Sequence, residues 1–266
     1  MHCKSPGLQP ACKRNWPWQA IVLALWAVLL LPGLLQAEPP APFSASYEAR
    51  FGGFKAEAER AMEFIDAENI HMSTSMELKL LGQTVSRIQE TSAIHIDHEN
   101  DLTRSNQYSF IQTGIGKRQR HINFEWDDAI ARAKLDKLTV DLPLEGNVRD
   151  TLSAYLEIRK QLFAGNTEII FPGIYKGELE EIHYRVAGEE HVTTELGTFN
   201  AVRLQRIREP GSDRTTDIWL APDWDYLLIK LIQDEPGSST ISLELREANV
   251  NNETVTPIAI QDQQQN

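Results

Sequence analysis

Alternation of apolar and polar residues dominates the sequence after residue 42. From Phe43 to Phe51, Phe, Ala and Tyr occupy every second position, with Ser, Glu and Arg between them. This period of two is typical of a β-strand with one buried face. Gly52-Gly53 then turns the chain, and Phe54–Phe64 alternates again, so the two segments predict a β-hairpin.

Similar segments follow through most of the chain. They lie at 70–80, 84–96, 102–111, 122–126, 138–142, 178–186, 191–196, 201–208, 214–220, 226–233 and 240–248. Short links join most of them, so we expect neighbouring strands to pair antiparallel. Roughly a dozen strands are more than a strongly twisted open sheet usually holds without curling. The sequence therefore predicts a mainly β protein with a large curved antiparallel sheet or an open half-barrel.

One segment has helical periodicity instead. Its apolar positions are Val148, Leu152, Tyr155, Leu156 and Phe163. Asn147 is a suitable N-cap and Gly165 a suitable C-terminal residue, which predicts a single helix from about Asn147 to Gly165. We expect this helix to cover the concave face of the sheet.

The N-terminus has the pattern of a secretory signal peptide. A basic stretch up to Arg14 precedes an apolar run from Ala20 to Leu31, and small Ala37 stands before acidic Glu38. We expect residues 1–37 to be removed and the mature protein to be exported to the periplasm without a transmembrane anchor. A retained anchor is the alternative, but the unbroken apolar run is shorter than the roughly 20 residues that span a bilayer.

The rest of the chain is predicted to form a single β-rich domain, residues 38–250, followed by a disordered polar tail, residues 251–266. The formal charge is −12, and loss of the three cations in residues 1–37 makes the mature chain more acidic still. We therefore expect no binding to nucleic acid and repulsion from an anionic membrane surface. Both cysteines, Cys3 and Cys12, precede the cleavage point, so no disulfide or thiolate site is expected.

No motif in the sequence predicts catalysis, and we expect no enzyme activity, no cofactor and no bound metal. His95, Asp97 and His98 are the nearest approach to a metal site, but their spacing supplies no further ligand and favours a strand end entering a turn. The stretch Gly114–Lys117 lacks the residues that a phosphate-binding loop requires.

Basic residues are concentrated in two places. They are Lys117, Arg118, Arg120 and His121, and then Arg203, Arg206 and Arg208. On strands of so acidic a chain we favour a solvated face over an anion-binding site. Aromatic residues at strand ends are expected to pack in the core, or else to line a ligand groove. The candidate ligand-binding residues are Trp126, Leu152, Leu156, Trp219 and Tyr226.

Four segments carry a resemblance to a known family. They are Phe43–Tyr47, Gly114–Arg118, Leu196–Leu204 with its Leu-Gly-Thr-Phe turn, and Trp219–Leu231. Together they resemble the domain of unknown function 3108 family of exported bacterial envelope proteins, over almost all of the mature chain. This resemblance implies a periplasmic location and a curved antiparallel sheet, and it supplies no catalytic residues.

Two functions are compatible with these predictions. The first is a non-enzymatic binding protein that holds a lipid, an acyl chain or another hydrophobic envelope component in an apolar groove between sheet and helix. The second is an envelope protein-interaction or assembly factor with a solid core. A continuous apolar cavity would favour the first, and an exposed apolar patch would favour the second.

Overall fold

A computed structural model describes residues 39–237 and 240–259. This part of the chain contains fifteen strands: β1 (Phe43–Phe51), β2 (Phe54–Phe64), β3 (Asn69–Leu80), β4 (Gln83–Asp97), β5 (Leu102–Gly114), β6 (Arg118–Glu125), β7 (Ile130–Leu135), β8 (Leu138–Pro143), β9 (Glu168–Tyr175), β10 (Glu178–Thr193), β11 (Thr198–Ile207), β12 (Thr215–Ala221), β13 (Leu227–Asp234), β14 (Ile241–Val250) and β15 (Glu253–Thr254). The α-helix, α1 (Ala154–Phe163), lies between β8 and β9, and a short 3-10 helix (Pro222–Trp224) follows β12.

The strands form one antiparallel sheet in the order β8-β7-β6-β5-β4-β3-β2-β1-β14-β13-β12-β11-β10-β9, with β15 paired to β14. Strands β8 and β9 are its two edges, so the sheet does not close into a barrel by strand pairing. These features confirm the predicted mainly β fold, a large curved antiparallel sheet with one helix.

The gap between the two edges is nevertheless bridged near the C-terminal end of β9. The segment that follows β8 makes one parallel bridge to β9, in which the Arg149 N–H donates to Pro172 O at 3.0 Å and the Ile174 N–H donates to Arg149 O at 2.8 Å. Where β9 turns into β10, Gly177 lies so close to β7 that a Cβ placed there would be 2.3 Å from Cδ1 of Leu135. The fold is therefore a nearly closed barrel with a seam between β8 and β9.

The two ends of this barrel differ. Helix α1 contacts the turn between β4 and β5, where Lys160 pairs with Asp101 at 2.6 Å, and the turn between β12 and β13, where Arg159 pairs with Asp225. We call this the helix end, with the hairpin turns 64–69, 97–102, 125–130, 193–198 and 221–227. The remaining hairpin turns, of which the first joins β1 to β2, lie at the opposite end of the sheet. We call this the open end.

The core occupies the inside of the curved sheet and is densest beneath α1. Alternate residues of β1, from Phe43 to Ala49, are buried, as the sequence pattern predicts. From the helix, Tyr155 and Leu156 are buried, and the Tyr155 ring packs edge-on against Phe43 with centroids 5.6 Å apart. The predicted covering helix thus does pack onto the inner face.

The helix is shorter than predicted, because Asn147 is not its N-cap. Residues 148–150 are drawn into the bridge to β9, and α1 begins only at Ala154. The predicted C-terminal end of the helix is correct. Gly165 adopts φ +77°, and the N–H groups of Gly165 and Asn166 donate to Leu162 O and Gln161 O, which is the Schellman pattern for ending a helix.

Two strands were not predicted from the sequence. Strand β7 has small Ala131 and Ala133 on its buried face, which gives little contrast in hydrophobicity. Strand β9 contains Pro172, which is tolerated because β9 is an edge strand. Conversely, the turn predicted at Ala187-Gly188 is a bulge within the single long strand β10, where the pairing register shifts between Val186 and Gly188.

The predicted disordered tail is wrong for residues 251–259. Strand β15 pairs with β14, Val255 is buried, and the Ile258 N–H donates to Thr198 O at 2.8 Å. This segment is ordered because residue 255 is apolar and because the C-terminal part of β14 has an unpaired edge to which β15 can bond.

The predicted signal peptide, residues 1–37, lies outside the described residues. Within those residues, no helix is both long and apolar enough to cross a membrane.

Candidate functional site

Three arginines face the inside of the sheet near its open end. Leu204 on β11 is fully buried and pairs with Ile218 on β12, which fixes the inner face of both strands. Arg206 and Arg208 follow Leu204 at intervals of two and so point to the same face. Arg214 immediately precedes β12 and reaches the same space.

Arg206 is the most enclosed of the three, with its side chain 7% exposed. Its guanidinium lies over the ring of Tyr184, 5.3 Å from the centroid, and Nη2 donates to Glu181 O at 3.3 Å. The nearest carboxylate oxygen, on Glu180, is 3.8 Å away, too far for a hydrogen bond. Nη1 is buried and has no hydrogen-bond partner among the described residues.

Arg208 and Arg214 are also incompletely paired. Nη2 of Arg208 donates to the hydroxyl of Thr216 at 2.9 Å, whereas its Nε is buried without an acceptor in the described part of the chain. Nε of Arg214 is buried as well, and its closest carboxylate oxygen, on Glu235, is 3.9 Å away. Each of the three guanidiniums therefore presents a buried donor that no described residue satisfies.

The local electrostatics show that these charges are close together. Burial lowers the pKa of Arg208, and the positive charges of Arg214 and Arg206 lower it further. Burial raises the pKa of Tyr184 against the opposing effect of the two nearest arginines, so this phenol stays neutral. The site is a pocket in which positive charge is concentrated at the three arginines, while the acidic residues Glu180, Glu181, Glu209 and Glu235 also contribute to its lining. Such a pocket suits an anion that can accept several N–H bonds at once.

The arginines line a cavity of about 810 Å³ on the inner face. Its walls come from β9 to β13 and from the segment that enters α1. Apolar residues line part of it, among them Phe171, Ile182 and Leu231. The cavity can therefore accommodate a molecule with an anionic group and an apolar portion.

A second cavity, of about 530 Å³, lies across β14, β1, β2, β3 and β4. Small polar residues such as Ser46, Ser73 and Ser75 line it, together with Glu59 and Glu247. Among the residues that line it, a single buried donor lacks a partner in the described part of the chain, Nε of Arg60. We therefore regard the arginine cavity as the candidate site.

A buried polar network next to the arginine cavity fixes the start of α1. Oδ2 of Asp150 accepts hydrogen bonds from the hydroxyls of Ser92 at 2.7 Å and Ser105 at 2.5 Å. Its Oδ1 accepts from the N–H groups of Leu152 and Ser153 at 2.7 and 3.0 Å. All four partners are backbone or hydroxyl donors, so the network positions the segment and offers no activated nucleophile.

The structure does not bring the five predicted ligand-binding residues together. Leu152 and Leu156 are 4% and 5% exposed and pack in the core. Trp126 stacks on Phe124, with centroids 5.9 Å apart, and its indole N–H donates to Ser105 O at 2.8 Å.

The other two residues lie elsewhere. Trp219 pairs with Arg203 and Lys230, which places it on the face opposite to Leu204. Tyr226 packs edge-on against Phe163 with centroids 4.9 Å apart. None of the five lines either cavity described above. The interpretation of Arg206 and Arg208 as part of a solvated face does not hold, because they continue the buried face of Val202 and Leu204, and this continuation could have identified them; Arg214 is not among the basic residues that the sequence singles out.

The other candidate motifs have local structural roles. Asp97 accepts N–H bonds from Glu99 and Asn100 in a turn, and His98 bonds to Ala67 O at 2.9 Å. Among residues 39–237 and 240–259, no three His, Cys, Asp or Glu side chains converge as a metal site requires. Gly114–Lys117 forms the turn between β5 and β6.

Comparison with one solved structure supports the class of fold. The chain is similar to the crystal structure of a β-barrel-like protein of domain of unknown function DUF1849 from Brucella abortus, with a TM-score of 0.53 and 11% identity over 79% of this chain and 98% of that one. It also matches a crystal structure of a "putative lipoprotein" from Parabacteroides distasonis, with a TM-score of 0.32 and 10% identity over 80% of this chain and 95% of that one. No curated protein matches the sequence.

The fold is thus that of a β-barrel-like protein. The model of the DUF3108 family, described as proteins of unknown function, matches residues 46–246. The chain belongs to the DUF3108 family, which confirms the resemblance noted in the sequence.

Proposed function

We propose that this protein is a non-enzymatic binding protein of the bacterial cell envelope whose ligand is amphipathic and anionic. The carboxylate or phosphate of the ligand binds Arg206, Arg208 and Arg214, and its apolar part lies along the hydrophobic walls of the same cavity. The observation that carries the proposal is the set of three buried guanidinium nitrogens without acceptors.

The energetics favour an anion at this position. Burying an unpaired charged donor costs several kcal/mol, so such groups are normally satisfied by a partner. Hydrogen bonds between guanidinium and carboxylate or phosphate are about twice as strong as neutral ones. A bound anion would satisfy all three donors and reduce the repulsion among the arginines.

The shape of the cavity favours a ligand with an apolar portion. Its volume of about 810 Å³ exceeds what a free inorganic anion fills, and lies within the range of roughly 300–1,000 Å³ that is typical of small-molecule sites. Apolar residues such as Phe171 and Ile182 contact this space. The lipid or acyl-chain ligand expected from the sequence is retained, with a polar arginine cavity in place of an apolar groove under the helix.

The signal-peptide pattern supports an exported, periplasmic location as part of this proposal. A binding role is also consistent with the sequence, in which no motif predicts catalysis. The alternative function, a protein-interaction or assembly factor, would make the cavity incidental to the role of the protein.

Calorimetric titration with decanoate, decyl phosphate and decanol tests the proposal. Decanoate or decyl phosphate should bind to the mature chain, and decanol, which lacks the charge, should bind at least tenfold more weakly, equivalent to about 1.4 kcal/mol. The double variant Arg206→Gln/Arg208→Gln should lose at least tenfold in affinity for the anion. Arg203→Gln is the matched control, because Arg203 lies on the same strand but the opposite face, where it pairs with Asp217.

The comparison of the two anions shows which headgroup chemistry is preferred. Failure of both anions to bind, or equal binding by the double variant and the wild type, would contradict the proposal and favour the protein-interaction alternative. Circular dichroism of each variant confirms that a lost affinity does not come from a lost fold.

A further inference from the structure

Exposed apolar side chains are concentrated on the turns of the open end. Eleven large apolar residues are strongly exposed in the described part of the chain, and seven of them lie on five hairpin turns at this end. Each turn contributes at least one, namely Phe54, Leu81, Ile115, Leu138 and Leu179. Leu81 is completely exposed, and Ile115 and Leu138 are 66% and 60% exposed.

Lysines occupy the same five turns. The sequence has ten lysines, of which eight follow Ala37, and six of these eight lie in the turns 51–55, 79–83, 114–118, 134–138 and 175–179. The six are Lys55, Lys79, Lys117, Lys134, Lys137 and Lys176. With Arg118, these segments carry seven positive charges against two negative ones, Asp136 and Glu178. We call the five segments the basic rim.

The basic rim is continuous in space. The strand order β8-β7-β6-β5-β4-β3-β2-β1 places the turns of the first four hairpins next to one another along the edge of the sheet. The fifth turn, between β9 and β10, completes the arc across the seam, because Gly177 approaches Leu135 on β7. Five neighbouring turns thus present alternating lysine and bulky apolar residues in the same direction.

The turns at the helix end have the opposite charge. The segments 64–69, 97–102, 125–130, 193–198 and 221–227 contain eleven Asp or Glu residues and no Lys or Arg. The strands between the two ends are mostly 8–15 residues long, which corresponds to roughly 26–50 Å at about 3.3 Å per residue. This distance is several times the Debye length of about 8 Å at physiological salt, so the acidic end does not cancel the field at the rim.

We propose that the basic rim docks the protein onto an anionic phospholipid bilayer, with its apolar residues inserted among the lipids and its lysines at the headgroups. Lysines near an anionic surface are attracted to it electrostatically, and inserted apolar side chains add hydrophobic binding energy. The expectation from net charge, that such a surface repels the protein, overlooks the separation of charge between the basic rim and the turns of the helix end, although Lys55 and Lys79 of the rim also pair with Glu48 and Glu57.

A membrane fits the rim better than another soluble protein does. The apolar residues stand on separate turns, and each of these turns also carries at least one lysine. Lysine is depleted in the cores of protein interfaces but is enriched where proteins bind anionic lipid surfaces. Charge complementarity therefore favours an anionic bilayer over a soluble protein as the partner of the basic rim.

Vesicle flotation tests the docking surface. The mature chain should bind vesicles of phosphatidylcholine with 30% phosphatidylglycerol, should bind pure phosphatidylcholine at least fivefold more weakly, and should lose most binding in 0.5 M NaCl. Leu81→Ser/Ile115→Ser should reduce binding at least fivefold. Lys79→Gln/Lys117→Gln/Lys137→Gln should remove the preference for the anionic vesicles.

Ile65→Ser is the matched control, because Ile65 is as exposed as Ile115 but lies at the helix end. It should bind within twofold of the wild type. Equal affinity for both vesicle types, no binding to either, or an equal loss with Ile65→Ser would overturn the proposal. Decanoate titration of the rim variants separates the two functions, since their soluble ligand affinity should stay unchanged whether or not they bind vesicles.

Discussion

Nε of Arg159 donates to Oδ1 of Asp225 at 2.7 Å and thereby joins helix α1 to the turn between β12 and β13, 66 positions along the chain. Both side chains are largely enclosed, at 4% and 13% exposure. Oδ2 of the same carboxylate accepts the Ala41 N–H at 2.8 Å. This one carboxylate therefore connects the helix, the start of β1 and a turn at the helix end.

Removing the charge of Asp225 should destabilise the protein strongly. Asp225 has φ +56°, which Asn tolerates, so Asp225→Asn changes the charge without straining the backbone. Breaking a buried ion pair while leaving the cation enclosed typically costs about 3–5 kcal/mol in the free energy of unfolding. Urea denaturation measures this loss. The control Asp223→Asn alters a carboxylate whose partner is the exposed amide of Asn200 and should cost less than about 1 kcal/mol.

The arginine cavity should lower the stability of the protein when no ligand is bound. Replacing a poorly paired buried charge with an apolar side chain of similar length is often stabilising by about 1 kcal/mol or more. Arg208→Met should therefore raise the thermal midpoint by about 2–4 °C while weakening anion binding. Arg203→Met, which removes a pair with Asp217 and a cation–π contact with Trp219, should leave the midpoint unchanged or slightly lower. A lower midpoint for Arg208→Met would show that the wild-type arginine is adequately paired.

Glu90 should make the stability depend on pH. It lies on β4, where Tyr108 Oη donates to its carboxylate at 3.1 Å. Burial raises the pKa of Glu90, although the hydrogen bond from Tyr108 and the charges of Arg60 and Arg120 oppose this effect. The folded protein thus holds this proton more tightly than the unfolded chain, and stability falls as the pH rises above the unfolded pKa of about 4.3.

Glu90→Gln should therefore be more stable than the wild type at pH 7. The difference should shrink as the pH is lowered through 5 and 4, where the wild-type carboxyl is protonated in both states. Thermal midpoints measured at pH 4 and pH 7 decide this, at about 2–4 °C for each kcal/mol gained. A difference that is the same at both pH values would show that Glu90 keeps its charge in the folded protein.

The sequence predicts the sheet well because period-two alternation survives wherever one strand face is buried. Strand β1 shows this clearly, since its predicted inner positions from Phe43 to Ala49 are all buried. The alternation fails to reveal a strand where another feature of the fold stabilises that strand. Ala131 and Ala133 are fully buried but too small to give a strong hydrophobic contrast, and Pro172 is allowed only by the edge position of β9, which is a property of the whole sheet.

The candidate site could be predicted only in part. Alternation places Arg206 and Arg208 on the face of Leu204, but the sequence does not reveal that Arg214, from the other side of the turn, enters the same cavity. Nor does it reveal that Trp219 follows the opposite face, since a buried aromatic is equally compatible with either one. The positions of Arg214 and Trp219 both depend on how strands distant in the sequence pair with one another.

The narrow seam between the sheet edges can be tested at Gly177. This residue has φ +86°, and a Cβ there would meet Cδ1 and Cδ2 of Leu135 at 2.3 and 2.7 Å. Gly177→Ala therefore combines backbone strain, about 1–2 kcal/mol, with a steric clash across the seam. Gly82→Ala isolates the first effect, because Gly82 has φ +78° and nothing lies within 4 Å of its added Cβ.

If β7 and the turn after β9 are in contact, Gly177→Ala should lower the free energy of unfolding by about 1 kcal/mol more than Gly82→Ala does, since the terminal methyl groups of Leu135 must shift to make room. Leu135→Ala should relieve the clash, so the double variant Gly177→Ala/Leu135→Ala should be more stable than the sum of the two single changes predicts, by at least about 0.5 kcal/mol. Urea denaturation of the four proteins gives this coupling energy directly. Additive losses, together with equal effects at Gly177 and Gly82, would mean that the seam is open at this end in solution, because the clash exists only when β7 and the turn after β9 touch.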